Sequence, residues 1–160
     1  MKIGEHSLRD HLRLLTPFFG LITAVWVLRL VMGLAHTPVE LTRLVSVNVA
    51  GAVAVLGAAF LIHFKRFGSY ANVVAAAFLL VVYGQVLIAL SVAFSALTGI
   101  ATIYTAPEFG GRMSHATHIL GHLTLGVGTN LILGAADGSL ILWLLRLFVP
   151  VTVKGTTPLR

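Results

Sequence analysis

Four apolar stretches, at about 17–35, 38–64, 70–98 and 115–149, restrict what this chain can fold into. A helix needs about 20 apolar residues to cross a hydrocarbon layer roughly 30 Å thick, and each stretch reaches or exceeds that length. No water satisfies the backbone inside lipid, so such segments fold as helices whose amides bond internally. The expected fold is all-α: an integral membrane four-helix transmembrane bundle with an N-terminal amphipathic interfacial segment, forming one domain over 1–160. Only 10% of the residues are charged, against about a quarter in soluble domains, and the mean hydropathy is +0.97.

Capping chemistry sets the expected boundaries. Ser7 and Asp10 form an S-x-x-D helix start, with Leu8, Leu12 and Leu15 at helical spacing among Arg9 and Arg13, which predicts the amphipathic segment over 5–15. Glu5, Asp10 and the length of the next apolar run distinguish this end from a signal peptide, so it is expected to be retained. Thr16-Pro17 reads as an N-cap followed by proline at the first helical position, opening a helix over 17–35. Thr37-Pro38-Val39-Glu40 repeats the pattern for 38–64, with Glu40 placed to reach back. Lys65-Arg66-Phe67-Gly68-Ser69 predicts a short turn into an antiparallel third helix over 70–98, which Gly99 should end. A loop over 100–114 follows, with a flexible turn at Gly110-Gly111. As one helix the last segment, 115–149, would measure about 52 Å, so it must protrude, tilt or break. Arg146 and Trp143 suit an interface, which favours an apolar core from about 125 to 145 over one starting at His115.

Basic residues orient the bundle. Lys2, Arg9, Arg13, Lys65, Arg66, Arg146, Lys154 and Arg160 fall on one side, against Arg43 and Arg112 on the other, so both ends are expected in the cytoplasm, by default at a bacterial inner membrane. The net charge of +6 comes from scattered residues, which suits lipid headgroups and argues against nucleic acid. With no cysteine, disulfides, thiolate metal sites and S-acylation are excluded.

Polar residues inside apolar segments are the candidate sites. His115, His118 and His122 share one side of a helix, and His36, Glu40 and Glu108 would lie on the same outer side, so a Zn²⁺-like ion is one reading. Imidazoles bonded to interfacial water and headgroups are the other. The sequence itself requires no cofactor. Arg29 and Asp137 are expected to meet as a buried pair, either neutralising each other within the packing or coupling a proton or ion. Asn48, Gln85 and Asn130 would complete a buried polar network across helices. Gly126, Asn130, Gly134 and Gly138 recur at four-residue steps, and the glycines Gly126, Gly134 and Gly138 let helices approach closely on a row that, because it winds around the axis, can serve two neighbours. A haem would need two facing histidines, and His6, His11 and His63 are the inner candidates.

The chain shows no G-x-S-x-G, H-E-x-x-H or paired-carboxylate pattern and no repeat of transporter type. The expected function is therefore non-catalytic: a small multi-pass protein that packs as a homo-oligomer or within a larger membrane complex. The alternative is a metal-binding or proton- or ion-coupled small-solute protein, which requires a polar internal cavity.

Overall fold

The computed structural model of the chain describes residues 2–109 and 113–149. Gly110, Gly111, Arg112, Lys154 and Arg160, used above for the loop and for orientation, lie outside the described residues. Strands β1 (Lys2–Ile3) and β2 (His6–Ser7) form a small antiparallel hairpin, turned by Gly4 at φ 63°. Helix α1 (Leu8–Leu34) begins with a reciprocal capping box: Asp10 N–H donates to Ser7 Oγ (3.3 Å) and Ser7 N–H donates to Asp10 Oδ2 (2.8 Å).

Two helix starts differ from expectation. Helix α1 does not restart at Thr16-Pro17; it passes straight through, with Pro17 inside it. Proline removes one N–H from the ladder, and Thr16 Oγ1 donates to Leu12 O (3.0 Å) one turn back. Burial of His11, Leu14, Leu15 and Ile22 along one face holds the helix together across this point. The 5–15 segment is thus part hairpin and part first turns of the span. Its buried stripe is rotated from the expected one, because Leu8 and Leu12 are exposed.

The second span, Val39–Phe64, is broken into α2 (Val39–Leu44) and α3 (Val47–Phe64) by extended backbone at Val45 and Ser46. Thr37 does not cap it: Pro38 occupies the N-cap, without a side-chain bond. Helix α4 (Tyr70–Thr98) ends at Gly99, whose φ of 73° suits glycine. Short 3₁₀ turns at Ile103–Thr105 and Pro107–Phe109 lead toward the last span, His115–Phe148. That span comprises α5 (His115–Gly121), a π-helical turn (His122–Gly126) and α6 (Val127–Phe148).

Four helices are long and apolar enough to cross a membrane. Large side chains such as Val31, Phe78, Leu90, Phe94, Leu125 and Ile132 face outward, a surface that suits lipid and not water. Helix α4 is the most buried span and packs against α1, α3 and α6. Small residues permit that approach: Ala50, Ala54, Ala58, Ala76 and Ala77 are all buried.

Gly138 is the point of the glycine row most closely confined by two helices. A Cβ there would stand 2.8 Å from Val73 Cγ1 on α4 and 3.1 Å from Val55 Cγ1 on α3, so α6 meets two helices at once. Gly134 is less confined, with its nearest neighbour at 3.5 Å.

Several contacts gather the hairpin, the 65–69 turn and the end of α6 at one end of the bundle. The His6 ring stacks on Phe67 at 3.8 Å, and His11 meets Phe67 edge-on at 5.0 Å. With its amide turned to satisfy its neighbours, Asn72 donates to Ile3 O (3.1 Å) and His11 Nε2 (3.0 Å) and accepts from Ser69 N–H (2.9 Å). Arg146 donates to Gly68 O (2.9 Å) and lies over the Tyr70 ring. His63 Nε2 bonds Val149 O (2.7 Å). Gly68, at φ 98°, leaves the space into which Asn72 reaches.

Gly138→Val should lower stability by about 1–3 kcal/mol through overpacking against Val55 and Val73. Gly128→Ala, where the added methyl meets nothing within 4 Å, should leave the thermal unfolding midpoint in detergent unchanged or slightly higher.

Candidate functional site: a polar notch between α3, α4 and α6

Two interruptions of regular helix flank the middle of α4. At the first, Val45 (φ −94°, ψ 92°) and Ser46 (φ −119°, ψ 128°) leave the helical region, and the Val45 carbonyl accepts a hydrogen bond from Arg29 Nη1 (3.1 Å). The second is the π-helical turn at His122–Gly126, a rare geometry that recurs at functional sites.

Gln85, buried on α4, joins both interruptions. Its Nε2 donates to Asn48 Oδ1 (2.8 Å) in the first turn of α3, and its Oε1 lies 2.7 Å from Nδ1 of His122, the first residue of the π turn. Gly126 makes room for this amide, since a Cβ there would approach Gln85 Oε1 to 2.7 Å. Asn130 Nδ2 donates to Gly126 O (2.7 Å), so the turn is held from below as well.

These residues border a cavity of about 130 Å³ whose polar lining is Asn48, Gln85, Asn130 and Asp137. Gly51, Ala52, Gly84 and Gly134 keep its walls low. At about 30 Å³ per water, the space admits several water molecules. Gln85 forms a buried floor, Asn130 is half-buried, and Asn48 and Asp137 are exposed at the mouth. Asp137 lies about 13 Å along the helix axis from Arg146. The four residues expected in a buried polar network border one cavity, but Asn48 and Asp137 are exposed and only Asn48 and Gln85 are hydrogen-bonded to each other.

Arg29 does not join them. No carboxylate among the described residues pairs with it, and the expected contact with Asp137 is absent. Its guanidinium sits 4.7 Å from the Phe109 ring centre and 5.3 Å from that of Tyr104, with the Val45 carbonyl as hydrogen-bond partner. The helix break supplies the carbonyl, and the loop after α4 folds back to supply two aromatic faces, an arrangement worth about 2 kcal/mol when desolvated. Arg29 Nε and the Tyr104 hydroxyl have no hydrogen-bond partner among the described residues. Burial holds the Tyr104 phenol well above its usual range, so it stays protonated beside the cation.

The outer histidines are not arranged as a ligand set. His118 and His122 stack at 5.0 Å with an interplanar angle of 29°, His122 Nδ1 is engaged by Gln85, and His115 is exposed. Among the described residues no three His, Asp or Glu side chains converge on a metal position, and His36, Glu40 and Glu108 bring none. The inner histidines are used in packing: His6 and His11 against Phe67, and His63 on the Val149 carbonyl.

Sequence reasoning missed the π turn and two bonds that tie α1 to α4, Thr23 to Tyr83 (2.6 Å) and Trp26 Nε1 to Ser91 Oγ (2.9 Å). The only local hint of the turn is the glycine pair Gly121 and Gly126 at its borders.

Gln85→Leu should cost about 1–3 kcal/mol in thermal unfolding, because it strands His122 and the Asn48 side chain together. Arg29→Gln and Asp137→Asn should add within about 0.3–0.5 kcal/mol in the double variant, since the two residues share no partner. A strong coupling energy between them would contradict the separation. Comparison with known protein families, curated proteins and solved structures finds no match to the chain.

Proposed function

We propose that this chain handles a small hydrophilic solute or ion within a bilayer, at the notch bounded by Asn48, Gln85, Asn130 and Asp137. The observation that carries this reading is a cavity of about 130 Å³, large enough for several waters, where four amide and carboxylate side chains edge an otherwise mostly apolar wall at the meeting point of two interrupted helices. Irregular backbone at membrane depth is tolerated where it is buried in protein or lines a cavity, and interrupted helices are a common way to build solute sites in membranes. The notch offers amides and one carboxylate, which bind and pass on small polar species without bond chemistry. By the positive-inside bias, the basic residues at the hairpin, the 65–69 turn and Arg146 support a cytoplasmic position for that end of the bundle, with a bacterial inner membrane as the default setting.

A second reading is favoured by the exposure of Asn48 and Asp137 on the outer surface of the span. A helix from another copy, or from a larger complex, would cover them, and the chain would then act as a packing subunit. Polar side chains in lipid bond across helices for the same reason that they gather water.

The absence of native cysteine makes single-cysteine labelling a clean test. In membranes, Ala52→Cys and Leu133→Cys at the notch should react with a charged, water-soluble thiol reagent several-fold faster than Val53→Cys and Ile132→Cys on the adjacent lipid-facing surface. Equally slow reaction at all four sites would overturn the solute reading. Disulfide-linked dimers formed selectively at Ala52→Cys or Leu133→Cys would favour the packing one.

A further inference from the structure

With Arg146 at the membrane interface, as the proposed topology has it, Asp137 brings a carboxylate about 13 Å into the hydrocarbon, where an uncompensated charge costs about 3 kcal/mol or more. The cation expected to neutralise it, Arg29, is held instead by the Val45 carbonyl and the rings of Tyr104 and Phe109. Among the described residues no basic side chain is bonded to Asp137. We propose that the notch binds a hydrated monovalent alkali cation that compensates Asp137, an inference that rests on the reading of the notch as a hydrophilic site.

The donor set selects the ligand. Asn130 commits its Nδ2 to Gly126 O, which leaves Oδ1 free, whereas Asn48 Oδ1 already accepts from Gln85 Nε2, so the uncommitted oxygens lining the cavity are those of Asn130 and Asp137. Amide and carboxylate oxygens are hard ligands suited to hard cations. The imidazoles that would suit zinc are engaged elsewhere: His122 by Gln85, and His118 by stacking on His122. Gln85 has both amide atoms in use and serves as a rigid floor that fixes Asn48.

Charge and size narrow the choice further. One carboxylate balances one positive charge, whereas a divalent ion would leave a net charge in lipid. A cavity of about 130 Å³ admits an ion with a few waters but excludes a bulky organic cation. The mouth at Asn48 and Asp137 lets the ion keep part of its hydration shell, which lowers the cost of dehydration.

Thermal unfolding of the purified full chain should be compared in sodium, potassium and N-methyl-glucamine chlorides at equal ionic strength and pH. The expected result is a saturable rise of the midpoint in sodium or potassium over N-methyl-glucamine, as mass action requires of a ligand that binds the folded state. Asp137→Asn should lose this rise, and Asn130→Leu should raise the half-saturating concentration by roughly tenfold, through loss of one oxygen ligand. Gly128→Ala should keep it. Equilibrium binding of radioactive sodium or rubidium to the unaltered protein, displaced by the unlabelled ion, gives the same answer without relying on a variant that folds. Identical midpoints in all three chlorides with no displaceable ion would overturn the proposal, and so would an undiminished shift in Asp137→Asn. If the notch cysteines are water-accessible while the salts have no effect, the cation assignment fails and the solute reading survives.

Discussion

A polar group buried among apolar helices has only the protein to bond with, and Gln85 meets that constraint for three elements at once. Its amide links α4 to the first turn of α3 through Asn48 and to the π turn through His122. In water each of these groups would be solvated separately, and the links would add little. Buried among apolar helices, they tie the first turn of α3 and the π turn to the middle of α4. The absence of a side chain at Gly126 belongs to the same device, because any Cβ there would push the amide away.

Much of the fold was legible in the sequence because hydropathy and capping are local. The Ser7 and Asp10 box, the short turn after Phe64 and the stop at Gly99 all follow from residues within a few positions of each other. The errors came where a local signal lost to distant packing. Thr16-Pro17 carries the marks of a helix start, yet a helix already capped nine residues earlier and buried along His11, Leu14 and Leu15 continues through it. Thr37 and Glu40 carry the marks of a capping box, but Pro38 takes the N-cap position.

The candidate site was legible in its members but not in its pairings. Asn48, Gln85, Asn130 and Asp137 stand out as polar residues in apolar runs, and all four line one cavity. Depth alone suggested that the single buried cation and the single intramembrane acid should meet. It could not reveal that the second span breaks beside Arg29 and offers it a carbonyl, or that the loop after α4 returns with Tyr104 and Phe109. A cation satisfied by a carbonyl and π faces needs no acid, and this leaves Asp137 without a basic partner among the described residues.

The two halves of the bundle differ in how firmly they are held. Toward the hairpin end, Asn72 ties β1, α1 and the 65–69 turn together, and Gly138 lets α6 close against both Val55 and Val73. Toward the other end, α3 is cut short by the break at Val45 and Ser46, and the last span changes to π geometry. The notch lies where the close packing at Gly138 gives way to these interruptions. Regular helices packed as closely along their whole length would leave no room for Asn48, Asn130 and Asp137 to share a cavity. The interruptions at Val45, Ser46 and the π turn are therefore what opens the cavity there, and the tight hairpin half lets the bundle tolerate them.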